Sequence, residues 1–120
     1  MNDERIWNFE KSLWTAGSDE YRHKIARDGI LVVPNDPFIL AGHKAADAMA
    51  NTPQWDNVIF SETKVVRPDG PQGGLIVIAY KAKATRGDES YEAWCTSTLL
   101  RKGNDDWVVV QHQQTPPLAA

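Results

Sequence analysis

Leu75-Ile76-Val77-Ile78-Ala79-Tyr80-Lys81-Ala82-Lys83-Ala84-Thr85-Arg86 alternates along its length. One set of positions holds Ile76, Ile78, Tyr80, Ala82 and Ala84, and the other ends in Lys81 and Lys83. Successive side chains of a strand point to opposite faces, and lysine ammoniums stay in water. The run therefore predicts a long strand, half buried, with Tyr80 on its inner face. Arg86-Gly87-Asp88-Glu89 suits a tight hairpin into a second long run, Glu89 to Arg101. If Gly87-Asp88 is a two-residue loop, Tyr80 lies opposite Cys95. A like loop at Gly103-Asn104 sets Cys95 opposite His112 in a last run, Trp107 to Gln114. A slip of one residue in either turn moves a partner to the other face. Trp55 to Arg67 is the preceding run, joined through the glycine- and proline-rich segment 68–74, and Glu62 extends the polar row if that register allows.

Upstream of these strands the apolar period lengthens to that of a helix. Ile6, Phe9 and Leu13, flanked by Trp7 and Trp14, form one stripe from Asp3 to Trp14, capped by Asn2 or Asp3 and stopped at Gly17. Ser18 then starts a second short helix, Asp19 to Arg27, with Tyr21 and Ile25 inward. Asp28-Gly29 reads as a turn before the β-prone Ile30-Leu31-Val32-Val33, and Pro34-Asn35-Asp36-Pro37 closes that run. Lys44 to Ala50 is the third helix, ended by Asn51-Thr52-Pro53. Helices first and an antiparallel meander last imply an α+β domain with helices on one face of a curved sheet.

At 120 residues, 42% hydrophobic and 24% charged, the chain has the balance of a single domain over residues 1–120. Thirteen basic against 16 acidic residues leave a net charge of −3, which disfavours a nucleic-acid or anionic-membrane partner. The single cysteine, Cys95, allows no internal disulfide, and no apolar run is long enough for a membrane span. A cytoplasmic location is the expectation. His23, His43 and His112 lack ligand-like spacing, and no phosphate-binding glycine loop is present, so no metal or cofactor is expected.

The element order, the early Leu13-Trp14, the Asp28-Gly29 turn, Ala41-Gly42 before the third helix and the ending Trp107-Val108-Val109-Val110-Gln111-His112-Gln113-Gln114-Thr115-Pro116 resemble the nuclear transport factor 2-like superfamily, its SnoaL-like members above all. The resemblance implies a cystatin-like α+β fold. Three N-terminal helices would pack on a strongly curved, mostly antiparallel sheet, forming a cone-shaped half-barrel with a pocket at its open end. It also implies dimers through the outer sheet face. The aspartate base of ketosteroid isomerase-like members falls near Val33 or Pro34, their helix tyrosine falls at Leu13-Trp14, and their partner acid falls near Ser97. That residue set is not carried here.

The candidate ligand-facing residues are Trp14, Tyr21, Phe60, Tyr80, Cys95 and His112. An apolar cavity with a few directional groups has the usual make-up of a small-molecule site. The competing reading is a core row whose polar atoms satisfy one another. Trp94, Thr96, Thr98, Gln111 and Gln113 form a semi-polar outer face suited to a homodimer. Three functions follow: a binder of a hydrophobic, carbonyl- or hydroxyl-bearing molecule; a SnoaL-like isomerase, cyclase or dehydratase using acid-base chemistry in the same pocket; or a non-catalytic dimerisation or protein-interaction module.

Overall fold

The first helix forms because its start and its stripe agree. In a computed structural model, which describes residues 1–15, 23–50 and 54–118, with 49 and 50 described by their backbone, α1 spans Asp3–Thr15. The Asn2 Oδ1 accepts the Arg5 N–H at 2.8 Å, and Asp3 and Glu4 lie in the first turn, where the helix dipole favours acids. Its buried positions are Ile6, Glu10, Leu13 and Trp14, spaced by four, three and one as one helical face requires. A carboxyl therefore sits in the middle of an apolar stripe.

The strands β1 (Ile25–Val32), β2 (Ile39–Ala41), β3 (Asn57–Val66), β4 (Leu75–Arg86), β5 (Glu89–Arg101) and β6 (Trp107–Thr115) form one sheet in the order β2-β1-β6-β5-β4-β3. Among the described residues only the β1–β6 pairing is parallel. A second helix, α2 (His43–Ala50), lies against β1. The fold is thus α+β with a mixed, largely antiparallel sheet. The described residues contain two such helices where three were expected. Tyr21 and most of the expected helix Asp19–Arg27 lie outside the described residues; residues 23 and 24 are helical, but Ile25 already belongs to β1. Ile25 and Ala26 are both buried, and Ile25 pairs with Val109 of β6, so burial beside a neighbouring strand overrides local helix propensity. Among the described residues no helix is long and apolar enough to cross a membrane.

Asp28-Gly29 is not a turn between elements but part of β1, where the register against β6 shifts between Ile25 and Ile30. A side chain on Gly29 would meet the carbonyl oxygens of Ala26 and Val110 at 3.2 Å and that of Val109 at 3.4 Å. The backbones of the irregular strand and its neighbour approach that closely because the residue has no Cβ. Gly29→Ala is expected to lose about 1–3 kcal/mol of stability in urea denaturation, as overpacking against stiff sheet carbonyls does.

The alternation of β4 holds without exception on its inner side: Ile76, Ile78, Tyr80, Ala82 and Ala84 are buried, while Lys83 is exposed. Tyr80 pairs with Cys95, as the two-residue hairpin requires. The expected pairing of Cys95 with His112 does not form; Ser97 faces His112, and Cys95 faces Gln114. Two irregularities produce this. Arg101 pairs with Trp107 across an odd-length loop, residues 102–106, whose parity is opposite to that of a two-residue turn and would by itself turn His112 outward. A bulge between Thr98 and Leu99, opposite Val110, adds one more residue and turns it back. His112 stays inside, displaced by one inward position. Glu62 does not extend the row: it is exposed, with φ 53°, in the bulge of β3 between Ser61 and Lys64.

Candidate functional site

Four elements, α1, β4, β5 and β6, bring polar side chains together beneath α1. Glu10 descends from α1 and is wholly buried. Tyr80 from β4 donates its hydroxyl to Glu10 Oε2 at 2.5 Å, and Ser97 from β5 donates to the same oxygen at 2.6 Å. Trp14, one turn along α1, donates its indole N–H to the Tyr80 oxygen at 3.1 Å. On the other side of Ser97, His112 Nδ1 lies 2.7 Å from the hydroxyl and 3.6 Å from Glu10 Oε2. His112 Nε2 is 3.1 Å from the amide nitrogen of Gln114, whose oxygen accepts the Tyr91 hydroxyl at 3.0 Å. One hydrogen-bonded line thus runs from Trp14 through Tyr80, Glu10, Ser97, His112 and Gln114 to Tyr91. Its gap is Glu10 Oε1, buried with no partner among the described residues.

Aromatic rings fix this line in place. The Tyr80 ring lies 4.4 Å from Phe60 and 5.7 Å, edge-on, from Trp7. Trp55 stacks on Tyr91 at 5.8 Å, and Trp14 meets the His112 ring edge-on at 6.3 Å. Ala82, Ala84 and Ala93, fully buried, leave room on the inner face for these larger groups.

Burial dominates the acid-base chemistry. Taking the Glu10 carboxyl out of water raises its pKa to about 7, against the lowering effect of the hydrogen bonds from Ser97 and Tyr80. The same burial depresses His112 to about 4, a backbone hydrogen bond to Thr96 opposing it in part. His112 is accordingly neutral at physiological pH, and Glu10 is divided between its acid and its anion. Desolvation and the nearby Glu10 charge push the Cys95 thiol up to about 12, which leaves it a poor nucleophile. Tyr80 is held well above its ordinary range by burial and then by Glu10.

Beside this line opens a cavity of about 320 Å³. Its walls are mostly apolar, including Leu13, Trp14, Ile25, Leu31, Leu40 and Trp55, with Tyr91, His112 and Gln114 at one side and Asn35 and Asp36 from the β1–β2 loop. Of the residues expected to face a ligand, Trp14 and His112 line it. Phe60, Tyr80 and Cys95 do not; they pack behind, and Tyr21 lies outside the described residues. Sequence reasoning missed Glu10 and Ser97. The signal for Glu10 was its spacing, four after Ile6 and four before Trp14, within a stripe that then reads as buried on both sides.

No family model matches the sequence, and no curated protein matches it either. Solved structures do resemble it. A protein from Parabacteroides distasonis described as a ketosteroid isomerase candidate superposes with a TM-score of 0.80 at 16% identity, covering 95% of this chain and 86% of its own. A nuclear transport factor 2-like protein from Cytophaga hutchinsonii gives 0.72 at 12% identity, covering 98% and 100%. Nuclear transport factor 2 from Cryptosporidium parvum gives 0.67 at 8% identity, covering 95% and 90%. These likenesses establish the fold, which is that of the nuclear transport factor 2-like superfamily.

Proposed function

We infer that this domain binds a small, predominantly hydrophobic molecule carrying one carbonyl or hydroxyl head, and that it does so as a cytoplasmic homodimer. The observation that carries the reading is the junction of two features: an apolar cavity, and a buried polar line that reaches its wall only at Trp14, His112, Gln114 and Tyr91. Such a wall offers area to an apolar body and a few fixed polar atoms to a head group. A core row that merely satisfied itself would need no such opening.

The test is thermal denaturation against a panel of hydrophobic alcohols, ketones and their acyclic analogues. A binder present at a hundred times its Kd adds about 2.7 kcal/mol of stability. At least one member is expected to raise Tm in the wild type and to lose most of that effect in His112→Ala, provided the variant still melts cooperatively. A panel without any shift, together with a crystal structure in which side chains fill the cavity, removes the reading and leaves the interaction module.

A second reading has its own support. His112 is a neutral imidazole at the cavity wall connected to a carboxyl that titrates near pH 7, which is the equipment of a general acid-base enzyme. In that case His112→Ala abolishes turnover of a bound ligand and leaves the fold.

The dimer rests on the outer face. The register sets Ile30, Gln111, Thr98, Val77 and Val66 in one outward row across five strands, and no helix among the described residues covers it. Trp94 is 47% exposed beside it, with Lys81 Nζ 5.4 Å from its ring centre, while Thr96, Thr98 and Gln111 are hydrogen-bonded to one another. An exposed, uncovered face of this kind supports that reading. Light scattering after size exclusion is expected to give twice the chain mass, and Trp94→Glu to give the monomer; a wild type that stays at 13.4 kDa at micromolar concentration removes the dimer.

A further inference from the structure

Ser97 has a single proton to give and two acceptors for it. Its Oγ lies 2.6 Å from Glu10 Oε2 and 2.7 Å from His112 Nδ1, so it donates to one of them and accepts from the other. When Ser97 donates to Glu10, Nδ1 carries the imidazole proton and donates to Ser97. That leaves Nε2 as a bare acceptor, matched by the Gln114 amide nitrogen 3.1 Å away.

A proton added to Glu10 has one productive place. Among the described residues the buried Oε1 has no partner, so a proton there would be orphaned. On Oε2 it faces Ser97 Oγ, because the neighbouring Tyr80 hydroxyl is itself donating to Oε2 and accepting from Trp14. Once Oε2–H donates to Ser97, the Ser97 hydroxyl must turn to Nδ1, and Nδ1 can no longer carry a proton. The imidazole proton then resides on Nε2. The protons balance: one enters at Nε2 from the cavity, the Nδ1 proton passes to Ser97, and the former Ser97 proton passes to Glu10. Gln114 answers by turning its amide, so that its oxygen faces Nε2–H and its nitrogen faces the Tyr91 oxygen.

We propose that Glu10, acting through Ser97, sets the tautomer of His112 and thereby the class of head group the cavity accepts: hydroxyl or N–H donors when the carboxyl is ionised, carbonyl acceptors when it is protonated. Glu10 and Ser97 are positioning residues here, and a head group meets His112 Nε2 by taking the place of the Gln114 amide that covers it in the free protein. The titratable groups that face Glu10 are Tyr80 from β4, Cys95 from β5 and His112 from β6; burial keeps the tyrosine and the thiol protonated through neutral pH, which leaves the carboxyl to titrate. The inference deepens the binding reading above and rests on it for the identity of the cavity as a ligand site, but the relay itself is testable without a ligand.

The experiment is a pH series of ring-nitrogen spectra on the ligand-free, ¹⁵N-histidine-labelled protein, with the Glu10 carboxyl followed by ¹³C. The expected result is an exchange of the protonated nitrogen of His112 from Nε2 at low pH to Nδ1 at high pH, with the same midpoint as Glu10. In Glu10→Gln the amide oxygen accepts from both Tyr80 and Ser97, so the Nδ1–H tautomer persists wherever the His112 ring is neutral. In Ser97→Ala, Glu10 titrates while the tautomer no longer follows it. A wild type in which His112 keeps one tautomer while Glu10 titrates, or in which Glu10 does not titrate across neutral pH, overturns the proposal even if neither variant folds. Failure of every alcohol and ketone to raise Tm would instead remove the binding reading and leave the relay standing.

Discussion

Glu10→Gln is expected to lose ground to the wild type in acid and gain on it in base. The glutamine cannot ionise, and one of its buried amide ends takes the place of Oε1, which has no partner among the described residues, at a cost of about 1–3 kcal/mol against the protonated acid. The wild type, however, carries a pKa of about 7 in the fold against an ordinary 4.5. A folded pKa raised above the unfolded one gives stability that is complete below pH 4.5 and is lost as pH rises through 7. That loss amounts to about 3 kcal/mol, because each tenfold change in proton affinity on folding is worth about 1.4 kcal/mol. Urea denaturation of both proteins at intervals between these limits should therefore show the difference between variant and wild type moving by about 3 kcal/mol in the variant's favour. A constant difference would mean that Glu10 has an ordinary pKa and is not sealed from water.

The two buried titrating groups conceal each other in the wild type. His112 is depressed from 6.5 to about 4, so its contribution is present above pH 6.5 and lost as pH falls toward 4. Between pH 4.5 and 6.5 the Glu10 contribution falls with rising pH while the His112 contribution grows, and the slopes cancel. Removing the carboxyl exposes the histidine's slope alone. Variants therefore reveal what the wild-type profile hides.

Trp14→Ala should be the most damaging single truncation in the site, with a loss of about 3–5 kcal/mol as measured by denaturant midpoint at neutral pH. The side chain is 4% exposed, lies against Tyr91 and His112, and walls the cavity. Trp14→Phe separates the parts of that loss. It keeps most of the packing but removes the N–H that Tyr80 accepts, and about 1 kcal/mol is expected for one such hydrogen bond. If the phenylalanine variant is as unstable as the alanine one, the hydrogen-bonded line matters more than the rings around it.

Much of the architecture was legible because β4 and β5 are long, regular and joined by the shortest kind of hairpin. Alternation alone assigns Tyr80 inward, and counting across Gly87-Asp88 reaches Cys95. The same counting fails at the next hairpin because loop length and a bulge are backbone choices that no single side chain announces. Glu10 escaped because a charged residue is ordinarily read as solvent-facing, although the helix period places it between Ile6 and Trp14. Ile25 escaped for the opposite reason: its local surroundings suit a helix, and only the distant β6 makes it a strand. What the sequence conceals is pairing at long range, and the site lies where α1 meets the paired strands β4, β5 and β6.

The doubled irregularity of the last hairpin constrains how this protein can change. Inserting or removing one residue between Arg101 and Trp107 would carry the imidazole and the Gln114 amide to the far side of the sheet, unless Val110 were altered in compensation. Viable descendants should vary there by pairs of residues, or by a loop change matched to the loss of the bulge. A library of loop grafts at this hairpin would accordingly sort into folded and unfolded members by odd or even length.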